Sequence, residues 1–293
     1  MKRKKHFSRP TLIQIYPQRF MLRKIAIGFV IYDPNLNQLN RIHEASRLGF
    51  SVYVYDNSPE KIDAKEFAKN RGDVVYLTCG KNVGLGRGMA SVCAQAYYDQ
   101  HPALVFFDQD TVFNVDTLYF IEEYYETNLV LGLKYSAILF SSKDYTALDD
   151  PNAKNHFKNV SLAINSGSLF FLENVKKLNW HNDRYFVDCV DYEFCLNSQI
   201  HGFEIGEFSS TPGFDHSLEQ DDVEYNVLGR TFLMRAYSRR RVIDTCSASL
   251  KLLFKSIIAR RLKFFSEIFK LLIIYIATQI FVRTVGWIFE KRI

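Results

Sequence analysis

The sequence lacks several features that would place it in a class at once. Its 293 residues include only five cysteines, an odd number, and no Cys-x-x-Cys pair. This count excludes a zinc signature, argues against a disulfide framework and favours a reducing compartment. No apolar run of signal-peptide length precedes Lys24, so the sequence predicts no secretory signal. The longest charge-free run in residues 223–293 is the twelve-residue Leu271–Val282, whereas a spanning helix needs about 20 residues.

Two nucleotide-binding fingerprints are also missing from the glycine-rich stretch at 82–88. A G-x-G-x-x-G motif from Gly84 needs a small residue at position 89, where the sequence has Met89, and no Walker Lys-Ser or Lys-Thr follows. Gly84, Gly86 and Gly88 still permit close backbone approach to a ligand. The alternative is a tight turn that packs a helix on a strand, and the glycines alone favour that alternative.

Acidic residues are absent from one end of the chain and scarce at the other. Residues 1–24 carry eight Lys and Arg and no acid, and residues 223–293 carry fourteen against four acids. The intervening residues 25–222 have a net charge of −13. We therefore divide the chain into a basic tail (1–23), an acidic body (24–222) and a basic C-terminal region (223–293). Basic ends predict contact with an anionic surface, either nucleic acid or membrane.

The body contains short apolar runs separated by helical patterns. This alternation predicts an α/β fold wound on both sides of a central sheet. A polar loop is predicted over 141–160, and small polar residues interrupt the strand at 162–171. The predicted strands are Lys24–Tyr32, Ser51–Tyr55, Val74–Leu77, Ala103–Phe107, Ser136–Phe140 and Leu162–Phe171, and the predicted helices include Leu36–Leu48 and Val115–Tyr125.

The strand Ala103–Phe107 leads directly into two carboxylates, Asp108 and Asp110. Side chains alternate along an extended backbone, so both acids point to one side. Two adjacent carboxylates at the end of a buried strand repel each other, and a divalent cation with hard oxygen ligands would relieve that repulsion. The alternative is an ordinary solvated turn, because Asp is common there.

A second acidic cluster lies in residues 180–196. On a helix, Asp188, Asp191 and Tyr192 would share one face. Such acids could form a general-base site, or they could simply favour the first turn of a helix. His216, further along, fits either a metal ligand or an ordinary loop histidine.

Five segments in order carry a resemblance to a known family. The segments are Ile25–Tyr32, Tyr55–Ser58, Asn82–Gly86, Phe107–Asp110 and Asn165–Gly167 with Asp188–Leu196. On these segments the chain resembles the family 2 glycosyltransferases, and Phe107-Asp108-Gln109-Asp110-Thr111 is most similar to bacterial rhamnosyltransferases. The resemblance covers roughly residues 24–220 and implies a GT-A (Rossmann-like) fold: a mixed central sheet with helices on both faces, followed here by a basic helical appendage.

The resemblance also implies roles for single residues. Asp191 matches the catalytic base, although Val190 replaces the usual preceding Glu and leaves Asp188 as a rival. Asn197 replaces the basic residue that often follows the base. The implied donor-binding residues are Tyr32, Asp56, Asn82, Gly84, Asp108 and Gln109; the implied ligands for Mg or Mn are Asp108, Asp110 and His216; the implied acceptor-binding residues are Asn165, Ser166 and Trp180.

The implied function is metal-dependent, inverting transfer of L-rhamnose from dTDP-rhamnose to a lipid-linked or polysaccharide acceptor. Alternatives are another sugar (galactofuranose, galactose or N-acetylglucosamine) and a non-catalytic scaffold. The C-terminal apolar residues form helical stripes rather than a groove of stacking aromatics, which argues against nucleic acid. We expect amphipathic helices at the inner membrane face of a bacterial cytoplasm. The alternative is that these helices complete the core or a dimer contact.

Overall fold

The computed structural model describes residues 23–59, 74–142, 156–213, 223–227 and 230–290. Its centre is an eight-stranded sheet in the order β3-β2-β1-β4-β7-β5-β8-β6, and a separate two-stranded ribbon pairs β9 with β10. The strands are β1 (Ile25–Ile31), β2 (Ser51–Asp56), β3 (Val74–Thr78), β4 (Ala103–Asp108), β5 (Tyr135–Phe140), β6 (Phe157–Val160), β7 (Ser168–Phe171), β8 (Glu204–Phe208), β9 (Val223–Val227) and β10 (Arg230–Met234).

The sheet is mixed. Strands β3, β2, β1 and β4 pair in parallel, whereas β7 is antiparallel to both β4 and β5. β5 pairs in parallel with β8, and β6 is antiparallel to β8. Because β7 reverses direction between β4 and β5, strands β1–β5 and β8 all end at one edge, which we call the carboxyl edge. Strands β6 and β7 run in the opposite direction, so the residues that precede them lie at that same edge.

Seven α-helices accompany the strands in the described part of the chain, together with a 3-10 helix over Leu129–Leu133. Helices α1 and α3 each begin with a capping box, in which the side chains of Asn35 and Asn114 accept backbone N–H groups of the first turn. The helices are α1 (Leu36–Arg47), α2 (Leu85–Tyr98), α3 (Val115–Thr127), α4 (Leu172–Lys177), α5 (Val190–Ile200), α6 (Arg239–Ile258) and α7 (Leu262–Glu290).

Both faces of the sheet are covered, as the GT-A prediction requires. All seven residues of β1 are buried. Ala26 and Val30 pack in the core layer under α2, and Ile27 and Phe29 pack in the layer under α1 and α3. The alternation explains why β1 is a continuous apolar run rather than a half-polar strand. The predicted mixed sheet with helices on both faces is confirmed.

Three local predictions were wrong in detail. Within the predicted loop 141–160, residues 157–160 form the short edge strand β6. Its sequence pattern is polar, because Lys158 and Asn159 are exposed, and it therefore did not predict a strand. The predicted strand Leu162–Phe171 is a strand only from Ser168 onward, since the small polar residues before it form turns. Helix α5 begins at Val190, so Asp188 precedes the helix instead of sharing its face with Asp191.

The C-terminal helices complete the core and also expose apolar surface. Leu252 of α6 and Phe264 and Ile268 of α7 are buried in the same core layer as α2. Apolar residues also occur on the opposite side of α7, where Ile273 and Ile280 are more than half exposed. Apolar side chains therefore occur on both sides of α7, and the prediction of an amphipathic helix was wrong for it. By length and composition alone its stretch Leu262–Thr284 could cross a membrane, although about a fifth of this stretch is buried in the protein.

Candidate active site

The carboxyl edge brings together acids from separate strands. Asp108, the last residue of β4, lies opposite Val30 of β1, and Asp56 of β2 lies opposite Ile31. In open α/β sheets, ligands bind outside the carboxyl ends of the strands. The register therefore places Asp56 and Asp108 on either side of the end of β1, where a ligand could reach both.

A tight turn fixes the Asp108–Asp110 pair. The backbone N–H of Thr111 donates to the carbonyl of Asp108 at 3.1 Å. The Ser166 hydroxyl accepts the backbone N–H of Asp108 at 3.0 Å and lies 2.5 Å from the Thr111 hydroxyl. Ser166 and Asn165 are both buried and lie directly before β7. Two of the three predicted acceptor-binding residues are thus at the site, and Ser166 there supports the acidic turn.

Burial and neighbouring negative charge raise the pKa of Asp108 to about 7; the charges are those of Asp110 and Asp191. Carboxylates from β4, the following turn and α5 therefore lie near enough for the charges of the other two to act on Asp108. Such a concentration of charge is unfavourable unless a proton or a cation compensates it. The donor set fits a hard divalent cation, which Asp108 and Asp110 would hold.

The third predicted metal ligand, His216, lies outside the described residues. Within residues that the structure does describe, no group of three or more His, Cys, Asp and Glu side chains is arranged to hold a metal ion. The inference of a cation site therefore rests on the Asp108–Asp110 pair and on the negative charge of Asp191, which also acts on Asp108.

Asp191 lies in the first turn of α5, where its Oδ1 accepts the backbone N–H of Tyr192 at 2.8 Å. Burial, together with the smaller effect of the Asp188 charge, raises the pKa of this carboxyl to about 6, although backbone hydrogen bonds act in the opposite direction. Asp188 and Glu193 are the acidic neighbours of Asp191 in the sequence. Burial is the larger effect, and Glu193 instead forms an ion pair with Lys255 at 2.6 Å.

Asp188, the rival base, has other partners. Its Oδ2 accepts a hydrogen bond from the Thr245 hydroxyl at 2.7 Å, and its Oδ1 lies 3.5 Å from a guanidinium nitrogen of Arg241. Both partners belong to α6. A carboxylate held in this way is less free to take a proton from a substrate, so the geometry favours Asp191 as the base.

Asp56 and its neighbours build the loop after β2. The buried Asp56 carboxylate accepts the Ser58 backbone N–H at 2.7 Å and the Tyr76 hydroxyl at 2.5 Å. The Asn57 side chain bridges to the loop before α2, where it donates to the Gly84 carbonyl and accepts from the Val83 N–H. Asp56 is therefore held in a pre-formed loop at the carboxyl edge, and its contact with a donor base stays a prediction.

The turn before α2 is closed by protein rather than open. Asn82 accepts the backbone N–H of Gly84 at 2.9 Å, and Gly84 has a φ of 86°. A Cβ at Gly84 would lie 2.5 Å from the carbonyl oxygen of Phe186. The alternative of a tightly packed turn therefore accounts for Gly84, and the nearby Phe186 segment leads on to Asp188 and Asp191.

Tyr32 and Gln109 contact each other at the end of β1. The Gln109 amide bonds both the backbone N–H and the carbonyl of Tyr32, at 2.7 and 3.3 Å. The Tyr32 ring is 46% exposed and faces no described partner. Gln109 thus fixes the acidic turn, whereas the Tyr32 ring is available at the edge.

Trp180 is the one predicted site residue that the structure places elsewhere. Its ring lies 5.8 Å from that of Tyr97, in the last turn of α2, and it is 8% exposed. Helix α2 is fourteen residues long, about 21 Å, and its opposite end lies at the carboxyl edge. Trp180 therefore lies away from the acids with its ring packed against α2, and its contact with an acceptor stays a prediction.

Two residues at this edge escaped the sequence reading. Arg87, in the first turn of α2, pairs with Asp183 at 3.5 Å, and its charge acts on the Tyr55 hydroxyl at the end of β2. Tyr76 binds Asp56 from the neighbouring strand β3. The sequence does contain a signal for Arg87, because this basic residue lies within the glycine-rich stretch that begins α2. Nothing in the sequence pattern pointed to Tyr76.

Solved structures share this fold. Staphylococcus aureus TarS 1–349 in complex with UDP-GlcNAc superposes with a TM-score of 0.56 at 11% identity, covering 83% of this chain and 71% of that one. GalNAc-T7 with UDP, GalNAc and Mn²⁺ superposes with a TM-score of 0.50 at 10% identity, covering 64% and 43%. At such identities the likeness shows the fold alone, which is that of the GT-A glycosyltransferases.

The chain spans 39% of the length of the longer S. aureus TarS structure. No family model and no curated protein matches its sequence. What these neighbours bind is therefore a property of those proteins, and the activity of this chain has to be argued from its own residues.

Proposed function

We propose that this protein is a metal-dependent, inverting glycosyltransferase of family 2 that uses a nucleoside-diphosphate sugar. One observation supports this proposal most directly: the carboxylates of Asp108, Asp110 and Asp191 converge at the carboxyl edge of a GT-A fold. The first two acids suit a cation on a diphosphate, and the third suits a base. The glycosyltransferase neighbours with a GT-A fold agree with this function, but a fold by itself does not determine an activity.

The donor would occupy the parallel half of the edge. Asp56 would bind the base and the exposed Tyr32 would contact the donor, and Asn82, Gly84 and Gln109 shape the surrounding loops. Asp108 and Asp110 would hold Mg²⁺ or Mn²⁺, which would stabilise the negative charge that develops on the departing diphosphate.

Asp191 performs the proton transfer. Its carboxylate accepts the proton of an acceptor hydroxyl while the hydroxyl oxygen bonds to the anomeric carbon. The bond from that carbon to the diphosphate oxygen breaks, and the diphosphate leaves with the electron pair. Attack from the side opposite the diphosphate inverts the anomeric centre. A pKa of about 6 leaves Asp191 mostly ionised at neutral pH and close to the optimum for a base.

L-rhamnose from dTDP-rhamnose is the donor that the Phe107–Thr111 resemblance favours. UDP-N-acetylglucosamine is the second candidate, because a neighbour with a TM-score of 0.56 is in complex with it. Donors of galactofuranose and galactose are the remaining candidates. All four donors carry the diphosphate that Asp108 and Asp110 would bind, so only the sugar and the nucleotide base distinguish them.

The acceptor is a lipid-linked or cell-surface polysaccharide, and the protein works at the inner, cytoplasmic face of a bacterial membrane. The support is the surface of α6 and α7, where Phe254, Ile258 and Ile274 are each more than half exposed. Arg239 and Arg240 at the start of α6 and Arg260 between the two helices are exposed cations. Exposed apolar residues and cations on the same pair of helices suit an anionic lipid interface.

A thermal-shift screen tests the proposal directly. Purified protein is heated with each nucleotide sugar, with and without Mg²⁺ or Mn²⁺, and hits are assayed for donor hydrolysis. We expect metal-dependent stabilisation by one donor, because a ligand that binds only the folded state raises Tm. No stabilisation by any donor would contradict the proposal. Stabilisation without hydrolysis or transfer would support the non-catalytic scaffold instead.

A further inference from the structure

A single face of α6 contacts the segment that leads into Asp191. Arg241 and Thr245 contact the two oxygens of Asp188, at 3.5 and 2.7 Å. Ser249 lies 3.6 Å from the thiol of Cys189, Oγ to Sγ. These three α6 residues are four positions apart, so they form one stripe along the helix. We call it the α6 stripe: Arg241, Thr245 and Ser249.

The same helix holds the other side of Asp191. Two positions after the base, Glu193 is 2% exposed and its Oε1 lies 2.6 Å from Nζ of Lys255. The Asn182 amide donates to the same oxygen at 3.0 Å. Asp191 therefore lies between two carboxylates that α6 binds.

The backbone between Asp188 and Asp191 needs such support. Cys189 has a left-handed conformation, with φ of 63°, although it is not glycine. Helix α5 also starts without a side-chain cap, since Cys189 provides none. A strained residue of this kind persists only when the surrounding structure fixes it. The bonds of Asp188 and Cys189 to the α6 stripe are restraints of that kind.

We propose that the α6 stripe positions Asp191, so that the C-terminal helices form part of the catalytic unit. Arg241 and Thr245 act as positioning residues through Asp188 and the turn at Cys189. This inference rests on the proposed function, in which Asp191 is the base. It adds that the helix pair with the exposed apolar and basic surface also sets the geometry of the site.

Two arginines separate this role from general electrostatics. Arg241→Met removes the partner of Asp188, and Arg47→Met removes an equal charge from an exposed residue in the last turn of α1 without an acidic partner among the described side chains. We expect kcat to fall roughly tenfold to a hundredfold in Arg241→Met, because a small misplacement of a reacting group has effects of this size. KM for the donor and Tm should stay near the wild-type values. Arg47→Met should retain the wild-type kcat, and Arg241→Lys should recover most of the loss.

A double variant tests the route through Asp188. If Arg241 acts by holding that carboxylate, Asp188→Asn/Arg241→Met should lose no more kcat than the more impaired single variant, because both changes break one contact. Thr245→Val is a smaller change that keeps the side-chain shape and should lower kcat in the same direction. Fully multiplicative losses in the double variant, or an unchanged kcat in Arg241→Met, would overturn the inference.

Hydrogen exchange gives a readout that needs no substrate. The amides of Tyr192 and Glu193 bond to Asp191 and to the Cys189 carbonyl in the first turn of α5. We expect both to exchange faster in free Arg241→Met protein than in Arg47→Met protein. Equal exchange in the two variants would overturn the inference. Absent turnover in the wild type would instead contradict the proposed function, and the exchange rates would still test the positioning.

Discussion

The side-chain amide of Gln109 bonds both backbone polar groups of Tyr32, accepting its N–H at 2.7 Å and donating to its carbonyl at 3.3 Å. The last paired residues of β1 and β4 are Val30 and Asp108. Gln109 therefore continues the contact between the two strands by one step, with a side chain in place of a backbone. Its position between Asp108 and Asp110 means that this contact also fixes the turn on which both acids lie.

Replacing Gln109 with Leu tests this link. The variant should have a lower free energy of unfolding by about 1 kcal/mol for each lost hydrogen bond, and less for the longer one. Affinity for the metal-bound donor should fall as well, because the turn with Asp108 and Asp110 is no longer held to β1. Urea unfolding and calorimetric titration measure the two effects. Wild-type stability in the variant would show that the amide does not tether the turn.

The metal site is tested by Asp110→Asn. A neutral amide cannot balance a divalent ion, so metal-dependent donor binding should be lost while the fold is kept. Asp110 forms no hydrogen bond with any described residue, and its replacement should therefore leave Tm almost unchanged. Asp116→Asn, an exposed acid in the first turn of α3, is the matched control. Unchanged dTDP-sugar affinity in Asp110→Asn, with and without EDTA, would refute the assignment.

The base is tested by comparing Asp191→Asn with Asp188→Asn. The first keeps the size and hydrogen bonding of the side chain but removes its basicity, so we expect turnover to fall roughly 10²–10⁴-fold, the usual contribution of a positioned base. Donor binding should be nearly unchanged. Asp188→Asn should lower turnover by a smaller factor, since Asp188 contacts α6. An inactive Asp188→Asn with a near wild-type Asp191→Asn would reverse the two roles.

The parts of the site that follow strand ends were predictable from the sequence. Apolar runs with a fixed direction place Asp56 and Asp108 at one edge. Alternation predicted Asp110 beside Asp108, but β4 ends at Asp108, and a turn brings Asp110 there instead of an extended strand. The capped helices and glycine-terminated turns were predictable for the same reason: each has a local signal. The edge strand β6 carries mostly polar residues and gave no such signal.

The contacts that depend on tertiary packing were not predictable. Trp180 packs against Tyr97 in α2, and no feature of the sequence near Trp180 indicates that partner. Asp188 pairs with Arg241, 53 positions away in a region that the sequence set apart as an appendage. The basic charge of residues 223–293 predicted contact with an anionic surface. Only the fold shows that one face of α6 is directed inward to α5.

Membrane association is tested by charge reversal. Truncation after about residue 245 would remove Leu252, Phe264 and Ile268 from the core and should unfold the protein. Arg239→Glu/Arg240→Glu instead changes two exposed cations outside the core. We expect it to reduce sedimentation with anionic liposomes at low salt, since each basic residue near such a surface contributes about 1 kcal/mol.

Lys176→Glu/Lys177→Glu is the control for that experiment, with the same change in net charge at the end of α4. It should sediment like the wild type if the surface of α6 and α7 makes the contact. Equal loss in the two double variants would mean that only net charge matters. Absence of wild-type sedimentation at low salt would refute the membrane proposal.

The crowded acids predict an unusual dependence of stability on pH. The folded-state pKa values of Asp108 and Asp191 are about 7 and about 6, above the ordinary value of 3.8. Between pH 4 and pH 7 the folded protein therefore binds more protons than the unfolded chain, so its stability falls as the pH rises through this window. The contribution of the two acids is complete below pH 4 and is lost above pH 7. We expect Tm of the metal-free protein to decrease across that range.

Two variants and a metal identify the groups responsible. Asp108→Asn removes the most strongly shifted carboxyl and should flatten the decrease in Tm between pH 4 and pH 7, whereas Asp116→Asn, with its exposed carboxyl, should leave the slope unchanged. Mg²⁺ or Mn²⁺ added at pH 7 should raise Tm of the wild type more than that of Asp108→Asn, because a bound cation replaces the lost protons as the compensating charge. A slope that is the same in wild type and Asp108→Asn would show that the three carboxylates do not share one charged site.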